Sequence, residues 1–156
     1  MAEFARQPNS QLTMTIMRVV LDTSLIVAAL RSDVGASRVV LRWLALRRFQ
    51  MAASPALFLE YEQVLKRPEH SLAPEIVDGL LLEFASILFP VQIWYSWRPQ
   101  LIDPDDEMVL EAAINGSADA IVTHNKEDFE PATTRFNIEV WSPAEFLDIL
   151  RNIGVD

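Results

Sequence analysis

The sequence predicts an α/β domain in which helices cover a mainly parallel sheet. Short apolar runs of strand type alternate along the chain with longer amphipathic segments of helical type, and this alternation is typical of strands joined by crossover helices. At 156 residues and 51% apolar composition, the chain is long and apolar enough for one domain with its own core. We therefore assign residues 17–156 to a single domain.

Five apolar runs predict the strands of this sheet. In chain order the predicted strands are 19–21, 49–53, 90–95, 119–123 and 136–141. Predicted helices separate the first four strands from one another, and parallel strands need such crossover connections. The expected sheet is therefore mainly parallel.

Six segments with helical periodicity predict the helices. They are 24–30, 36–48, 54–66, 74–88, 103–115 and 142–151. Three of them begin with a capping side chain followed by proline: Ser54-Pro55, Asp103-Pro104 and Ser142-Pro143. A capping oxygen satisfies the first unpaired N–H groups of a helix, and proline is tolerated at the first helical position. These three helix starts therefore have a local physical cause.

Residues 1–16 are excluded from the domain, and we expect them to form a disordered tail. They lack the basic start, continuous apolar stretch and small-residue cleavage site of a signal peptide. No apolar stretch approaches the ~20 residues of a membrane-spanning helix. The absence of cysteine excludes disulfides, thiolate catalysis and cysteine-ligated metals. We expect a cytoplasmic protein with no membrane segment.

The net charge of −9 disfavours nonspecific attraction to nucleic acid, because Lys and Arg contacts to phosphate supply most of that affinity. A local basic stripe is still present on the second predicted helix and at its end. It consists of Arg38, Arg42, Arg47 and Arg48. We predict that this stripe binds nucleic acid; the alternative is an ordinary solvated helix face.

Asp22 is the first candidate site residue, because it directly follows the apolar run 19–21. The carboxyl ends of parallel strands meet at one edge of an open α/β sheet, where ligands bind. The competing interpretation is structural. Asp22, Thr23 and Ser24 all carry side chains that suit a turn or a helix cap.

Asp106 is the second candidate. It stands at the head of the apolar stripe formed by Val109, Leu110 and Ala113, and a carboxylate at the head of a buried face needs a partner or a cation. Acids in the first turn of a helix are also explained by the helix dipole alone, at ~0.3–1 kcal/mol each.

Glu60 and Glu62 both border the apolar face of the helix that starts at Pro55, and periodicity does not choose between them. An acid from this helix would join Asp22 and Asp106 at the sheet edge. Carboxylates gathered there repel one another, and a bound cation would relieve the repulsion. Oxygen ligands favour Mg²⁺ or Mn²⁺. Such a site suits hydrolysis of a phosphodiester.

Four segments resemble, in order and spacing, those of the PIN-domain ribonucleases. They are 19–24 (VVLDTS), 54–68 (SPALFLEYEQVLKRP), 103–106 (DPDD) and 117–125 (SADAIVTHN). The chain looks closest to the toxin branch of that family, similar to VapC toxins, and the resemblance covers residues 17–150. It implies a three-layer α/β/α sandwich and a Mg²⁺- or Mn²⁺-dependent endoribonuclease. It also implies an RNA substrate, a small antitoxin partner and a homodimer.

The resemblance also assigns site residues. Asp22, Glu60 and Asp106 match the catalytic, metal-binding acids of the family. A fourth acid often follows the threonine of the fourth strand; here Asn125 stands at that position, so either Asn125 or Asp128 would complete the metal site. Supporting roles fall on Thr23, Ser24 and Thr123.

Other classes fit less well. A receiver domain lacks its central-strand phosphoacceptor, a dehalogenase-type phosphatase needs a second acid where Ser24 stands, and the four glycines form no nucleotide-binding motif. The remaining alternative is a catalytically weak or inactive PIN-like module that binds RNA or protein.

Overall fold

A five-stranded sheet lies at the centre of the computed structural model, which describes residues 16–155. The strands are β1 Arg18–Leu21, β2 Gln50–Ala53, β3 Phe89–Pro90, β4 Ala120–Val122 and β5 Glu139–Trp141. Their order is β3-β2-β1-β4-β5, and every neighbouring pair is parallel. The predicted parallel sheet is confirmed. Residues 1–15 of the predicted tail lie outside the described residues.

Seven α-helices surround this sheet in the described part of the chain. They are α1 Thr23–Arg31, α2 Ala36–Ala45, α3 Pro55–Leu65, α4 Pro74–Ile87, α5 Pro104–Asn115, α6 Glu130–Phe136 and α7 Pro143–Asn152. α2 packs on α1 and α7, whereas α3 packs on α4 and α5. The result is the expected three-layer α/β/α sandwich. None of the helices between residues 16 and 155 has the length and apolar character that crossing a bilayer requires.

The three predicted capping pairs all start helices. Ser54 Oγ accepts a 3.1 Å hydrogen bond from Leu57 N, and Asp103 Oδ1 accepts one of 2.9 Å from Asp105 N. Ser142 forms a reciprocal capping box with Glu145. Each such cap is worth ~1 kcal/mol. The caps at Ser54 and Asp103 fix where α3 and α5 begin, and these are the helices that carry Glu60 and Asp106.

The core fixes the end of β1. Val19, Val20 and Leu21 are completely buried, and so is Tyr61 of α3. The Tyr61 hydroxyl donates a 2.6 Å hydrogen bond to the Leu21 carbonyl, and burial followed by the nearby Asp22 charge raises the pKa of Tyr61 well above its usual value. Tyr61 therefore stays neutral and holds the strand end from which Asp22 extends.

Two predicted strands are corrected. The strand predicted at 90–95 is reduced to Phe89–Pro90, because Trp94 N and Tyr95 N donate to the Asn115 side chain and not to a neighbouring strand. The strand predicted at 136–141 begins only at Glu139. A 3₁₀ helix, Lys126–Phe129, and α6 occupy the preceding segment, in which Phe129 and Ala132 are buried on one face.

The second predicted helix is also shorter than expected. α2 ends at Ala45, and Arg47 adopts a left-handed conformation with φ of 59°. Arg47 and Arg48 therefore lie in a turn, and they do not continue the helical face of Arg38 and Arg42.

Candidate metal site

Asp22 lies where the strand order reverses. The chain runs outward from β1 through β2 to β3 on one side, and β4 and β5 complete the other side, so the carboxyl ends of β1 and β4 form the switch point at which open α/β sheets bind ligands. Asp22 directly follows β1, and its N–H donates to the Val122 carbonyl of β4 at 3.0 Å. Its position is therefore set by both central strands.

The Asp22 carboxylate is buried and held from two sides. It is 7% exposed, and its Oδ2 accepts hydrogen bonds from Thr123 Oγ1 at 2.7 Å and Ser24 Oγ at 3.0 Å. Asp22 precedes α1 as its N-cap residue, but its side chain makes no capping hydrogen bond. Burial raises the pKa of Asp22, although the two hydroxyls lower it in part. Because both hydroxyls bind Oδ2, Oδ1 remains available to a ligand.

Thr123 links the two strand ends. It is completely buried, donates to Asp22 and accepts a 3.0 Å hydrogen bond from Asn125 N through the same Oγ1. One hydroxyl thus orients the acid after β1 and the chain after β4. The supporting role of Thr123 stays a prediction.

A cleft of about 450 Å³ contains the predicted acids. Asp22, Glu60 and Asp106 all line it, together with Thr23, Ser24, Asn125 and Asp128. Five further polar side chains line the same cleft, and none of them is among the predicted metal ligands: Arg67, Glu69, His70, Asp103 and Asp105. The fold therefore brings together on one surface the acids that the sequence separates by up to 106 positions.

Glu60 and Glu62, which periodicity left unresolved, occupy different environments. Glu60 lines the cleft, and its pKa is raised by burial and by Asp105 and Asp103, with Arg67 opposing the rise. Glu62 instead forms a 3.1 Å ion pair with Lys66 on the exposed side of α3. Of these two glutamates, only Glu60 lines the acidic cleft.

Asp106 shows the largest electrostatic effect in the cleft. Its pKa is raised to about 7, first by burial and then by surrounding carboxylates; these are Asp22, Asp103, Asp128 and Asp105. A carboxyl group perturbed in this way within a cleft is a candidate functional group. The carboxylates that follow β1, begin α5 and follow β4 therefore interact with one another electrostatically.

The donor set fits a hard divalent cation. The candidate ligands of the cleft are carboxylate and amide oxygens, which suit Mg²⁺ and Mn²⁺, and their mutual repulsion is the kind that a cation relieves. Within residues 16–155, no three His, Asp or Glu side chains already stand close enough to hold one ion. Direct ligation of one ion by three carboxylates would therefore require them to approach one another, whereas one or two carboxylates with several waters suffice for Mg²⁺.

Asn125 and Asp128 are the two candidates for the fourth ligand of the metal site. Both line the cleft, and Asp128 contributes to the raised pKa values of Asp22 and Asp106. Lys126 lies between them but pairs with Glu145 at 2.9 Å. Its ammonium group is thus engaged with α7.

Comparison with known families decides the relationship. The sequence profile of the family described as PIN domain matches residues 18–127. The chain belongs to the PIN domain family. The matched region includes Asp22, Glu60, Asp106 and Asn125. It ends at Glu127, so Asp128 lies one residue beyond it. Comparison with curated proteins finds no match to the chain.

PIN domains are typically nucleases that use divalent metals. Membership therefore supports a hydrolase of the nuclease type. The match itself identifies neither the ion nor the substrate, so the roles of individual side chains in this PIN domain remain predictions.

The predicted arginine stripe does not line the acidic cleft of the PIN domain. Arg38 and Arg42 line a separate cavity between α1, α2 and α4, and Arg38 donates to the Ala29 carbonyl at 3.2 Å. The Arg48 guanidinium lies 5.2 Å from the centre of the Trp43 ring. RNA binding by the stripe stays a prediction.

Arg67 is the arginine that lines the cleft. It stands seven residues after Glu60, with Val64 between them, and all three line the cleft. Arg67 lies two residues beyond the end of α3, with an extended backbone, just before the 3₁₀ turn Pro68–His70. The sequence offers Arg67, with Lys66 and Lys126, as the alternative to the stripe for contact with RNA.

Proposed function

We propose that this protein is a Mg²⁺- or Mn²⁺-dependent endoribonuclease that hydrolyses RNA phosphodiester bonds. The observation that carries the proposal is the convergence of Asp22, Glu60 and Asp106 on one cleft, with the pKa of each raised. The PIN family supports a nuclease; RNA as the substrate comes from the resemblance of the four motif segments to the ribonucleases of that family.

The three acids would hold the ion, with Asn125 or Asp128 as a fourth ligand. When bound, such an ion polarises the phosphate, orients the attacking water and stabilises the leaving oxygen. Asp22 presents Oδ1 because Thr123 and Ser24 bind Oδ2. Arg67 provides the positive charge among the cleft-lining acids, and we assign it to an RNA phosphate.

The test is cleavage of single-stranded RNA by the purified protein with Mg²⁺, with Mn²⁺ and with EDTA. We expect cleavage only with a divalent ion, and we expect Asp22→Asn and Asp106→Asn each to abolish it while circular dichroism shows an intact fold. Asp33→Asn, an exposed loop substitution, is the matched control and should cleave normally. Undiminished cleavage by either site variant would contradict the assignment of Asp22 and Asp106 to the catalytic metal site.

Asn125 favours a second candidate, a catalytically weak or inactive PIN module that binds RNA or protein. A neutral amide replaces the fourth acid there, which lowers the negative charge available to a second ion. Calorimetric titration with Mn²⁺ separates the two candidates. An enzyme binds the ion and loses that binding in Asp106→Asn, whereas an inactive module gives the same weak titration in both proteins.

We further propose a VapC-like toxin role, with a small antitoxin partner, a homodimer and a cytoplasmic location. The support is the resemblance of the motif segments to the toxin branch. Induced expression should arrest growth, and co-expression of a small DNA-binding protein from the neighbouring reading frame should restore it. Sedimentation of the purified protein tests the dimer. Normal growth at high expression of an RNA-cleaving protein would exclude the toxin role and leave the nuclease.

A further inference from the structure

The segment between β3 and α5 has no regular structure, yet α5 holds it in place. Asn115 Oδ1 accepts hydrogen bonds from Trp94 N at 2.8 Å and Tyr95 N at 2.9 Å, and its Nδ2 donates to the Tyr95 carbonyl at 2.9 Å. One amide side chain thus replaces the strand partners that these backbone groups lack. The conformation of Trp94 and Tyr95 is therefore fixed by the last turn of α5.

Two buried glutamates of α5 fix the rest of the segment. Glu111 accepts hydrogen bonds from Ser96 and from the Arg98 guanidinium. Glu107 Oε1 accepts from Gln100 N and, at 2.8 Å, from Leu101 N. Buried carboxylates that are satisfied in this way specify one local conformation. The segment is consequently a built surface and not a loose connection.

Large aromatic side chains are displayed on this surface. Trp94 is 71% exposed, Tyr95 60% and Trp97 49%. The Tyr95 and Trp97 rings are parallel within 3° at a centroid distance of 5.3 Å, and Trp97 continues onto Phe136 at 5.9 Å. Tyr95, Trp97 and Phe136 form an aromatic ladder whose outer end is Tyr95. Exposed aromatic clusters of this kind mark interaction sites.

The kind of ligand that would bind the aromatic ladder follows from the positive charge beside the ladder and from its distance to the acidic cleft. Arg98 lies on the same segment, but its guanidinium is paired with Glu111, so the positive charge beside the ladder is that of Arg135, which precedes Phe136. The Arg135 guanidinium donates to the neutral Gln100 side chain and forms no ion pair within residues 16–155. Asn115, which holds Tyr95, lies nine residues after the cleft residue Asp106 in α5, so the two positions are about 14 Å apart along the helix axis, a distance that a few nucleotides of single-stranded RNA span.

We propose that the aromatic ladder is a stacking site for the bases of single-stranded RNA that enters the acidic cleft. This inference rests on the proposed function, from which it takes the nature of the ligand. Aromatic rings beside cations are the means by which proteins hold single-stranded nucleic acid without reading its sequence. A base continues the ladder on the outer face of Tyr95, and Arg135 contacts a phosphate.

The direct test measures binding of a fluorescein-labelled 12-nucleotide single-stranded RNA in EDTA, which prevents cleavage. Tyr95→Ala should weaken binding by about 5- to 150-fold, the range expected for loss of one stacked base, with the salt dependence preserved. Tyr95→Phe keeps the ring and should bind more tightly than Tyr95→Ala. Arg135→Ala should reduce the salt slope by about one unit. Leu82→Ala, an exposed apolar residue on α4, is the matched control and should bind as wild type does.

Several results would overturn the stacking site. They are equal RNA affinity in wild type and Tyr95→Ala, equal affinity for duplex and single-stranded RNA, or loss of a dimer in Tyr95→Ala without a change in RNA affinity; the last would assign the ladder to protein contact. Failure of the proposed nuclease activity is distinguishable from failure of the stacking site. In that case wild type does not cleave, while Tyr95→Ala still lowers affinity. If wild type cleaves and Tyr95→Ala binds equally well, the nuclease stands and the stacking site fails.

Discussion

Asp106→Asn is expected to stabilise the metal-free protein at neutral pH, although it removes a proposed catalytic group. The pKa of Asp106 is raised to about 7 in the folded protein, by burial first and then by neighbouring carboxylates. The ionised carboxylate is therefore unfavourable in the folded state. Asparagine fills nearly the same volume without the charge.

The expected gain in the free energy of unfolding follows from the size of this pKa shift. A rise from 3.8 to about 7 corresponds to roughly 4 kcal/mol at about 1.4 kcal/mol per unit. Asp106 is only partly buried, so solvent screening reduces the figure to on the order of 2 kcal/mol. Loss of the favourable interaction with the N-terminus of α5 offsets ~0.3–1 kcal/mol. We expect a net gain of about 1–2 kcal/mol, or roughly 2–8 °C in Tm for a domain of this size.

The pH dependence has a definite sign. A carboxyl group with a raised pKa contributes stability that is fully present below its unfolded pKa and is lost as the pH rises through its folded pKa. Wild type should therefore lose stability relative to Asp106→Asn as the pH rises from about 4 to 7, and the difference should be constant above that range. The two proteins should be equally stable near pH 4.

Urea unfolding in EDTA at a series of pH values from 4 to 8 tests this expectation. Asp33→Asn serves as the control for removing one exposed negative charge. Saturating Mn²⁺ should reverse the order, because a bound ion stabilises wild type in proportion to its affinity. Equal stabilities at pH 8, or a difference that does not vary with pH, would refute the proposed electrostatic repulsion.

Three further substitutions test single contacts. Asn125→Asp should tighten Mn²⁺ binding in calorimetry by restoring a fourth charge; weaker binding would show that Asn125 positions its neighbours and is not a deficient ligand. Thr123→Val removes a buried hydroxyl that Asp22 and Asn125 N share, so the free energy of unfolding should fall by about 1–3 kcal/mol; an unchanged urea midpoint would contradict this. Arg67→Ala should weaken RNA binding in EDTA and lower its salt slope by about one unit, and an unchanged slope would remove Arg67 from the RNA path.

The parts of the fold that local chemistry specifies were predictable. Ser54-Pro55, Asp103-Pro104 and Ser142-Pro143 start helices because capping and proline act within a few residues. The parallel sheet followed from the alternation of strand and helix. The place of Asp22 at the carboxyl edge of the sheet was predictable because a strand end in a parallel sheet determines where the following side chain lies.

The parts that depend on distant partners were not predictable. The strand expected at 90–95 fails because Asn115, twenty or more positions away, binds its backbone N–H groups. Glu107 is the last acid of the first turn of α5, a position that the local sequence explains by the helix dipole alone, but it is buried and binds the backbone at Leu101. The choice between Glu60 and Glu62 likewise required the fold. In each case the deciding contact joins segments whose proximity no local pattern encodes.

The most direct test of the proposed metal site is to locate the ion. A crystal soaked in Mn²⁺ and measured at the manganese absorption edge gives an anomalous peak wherever the ion binds. We predict one peak in the acidic cleft, within direct ligation distance of Asp22 and Asp106, with Glu60 bound directly or through water, and no such peak in Asp106→Asn. Ordered density for the cleft without a peak at saturating Mn²⁺, or peaks only outside the cleft, would contradict the metal site on which the proposed function rests.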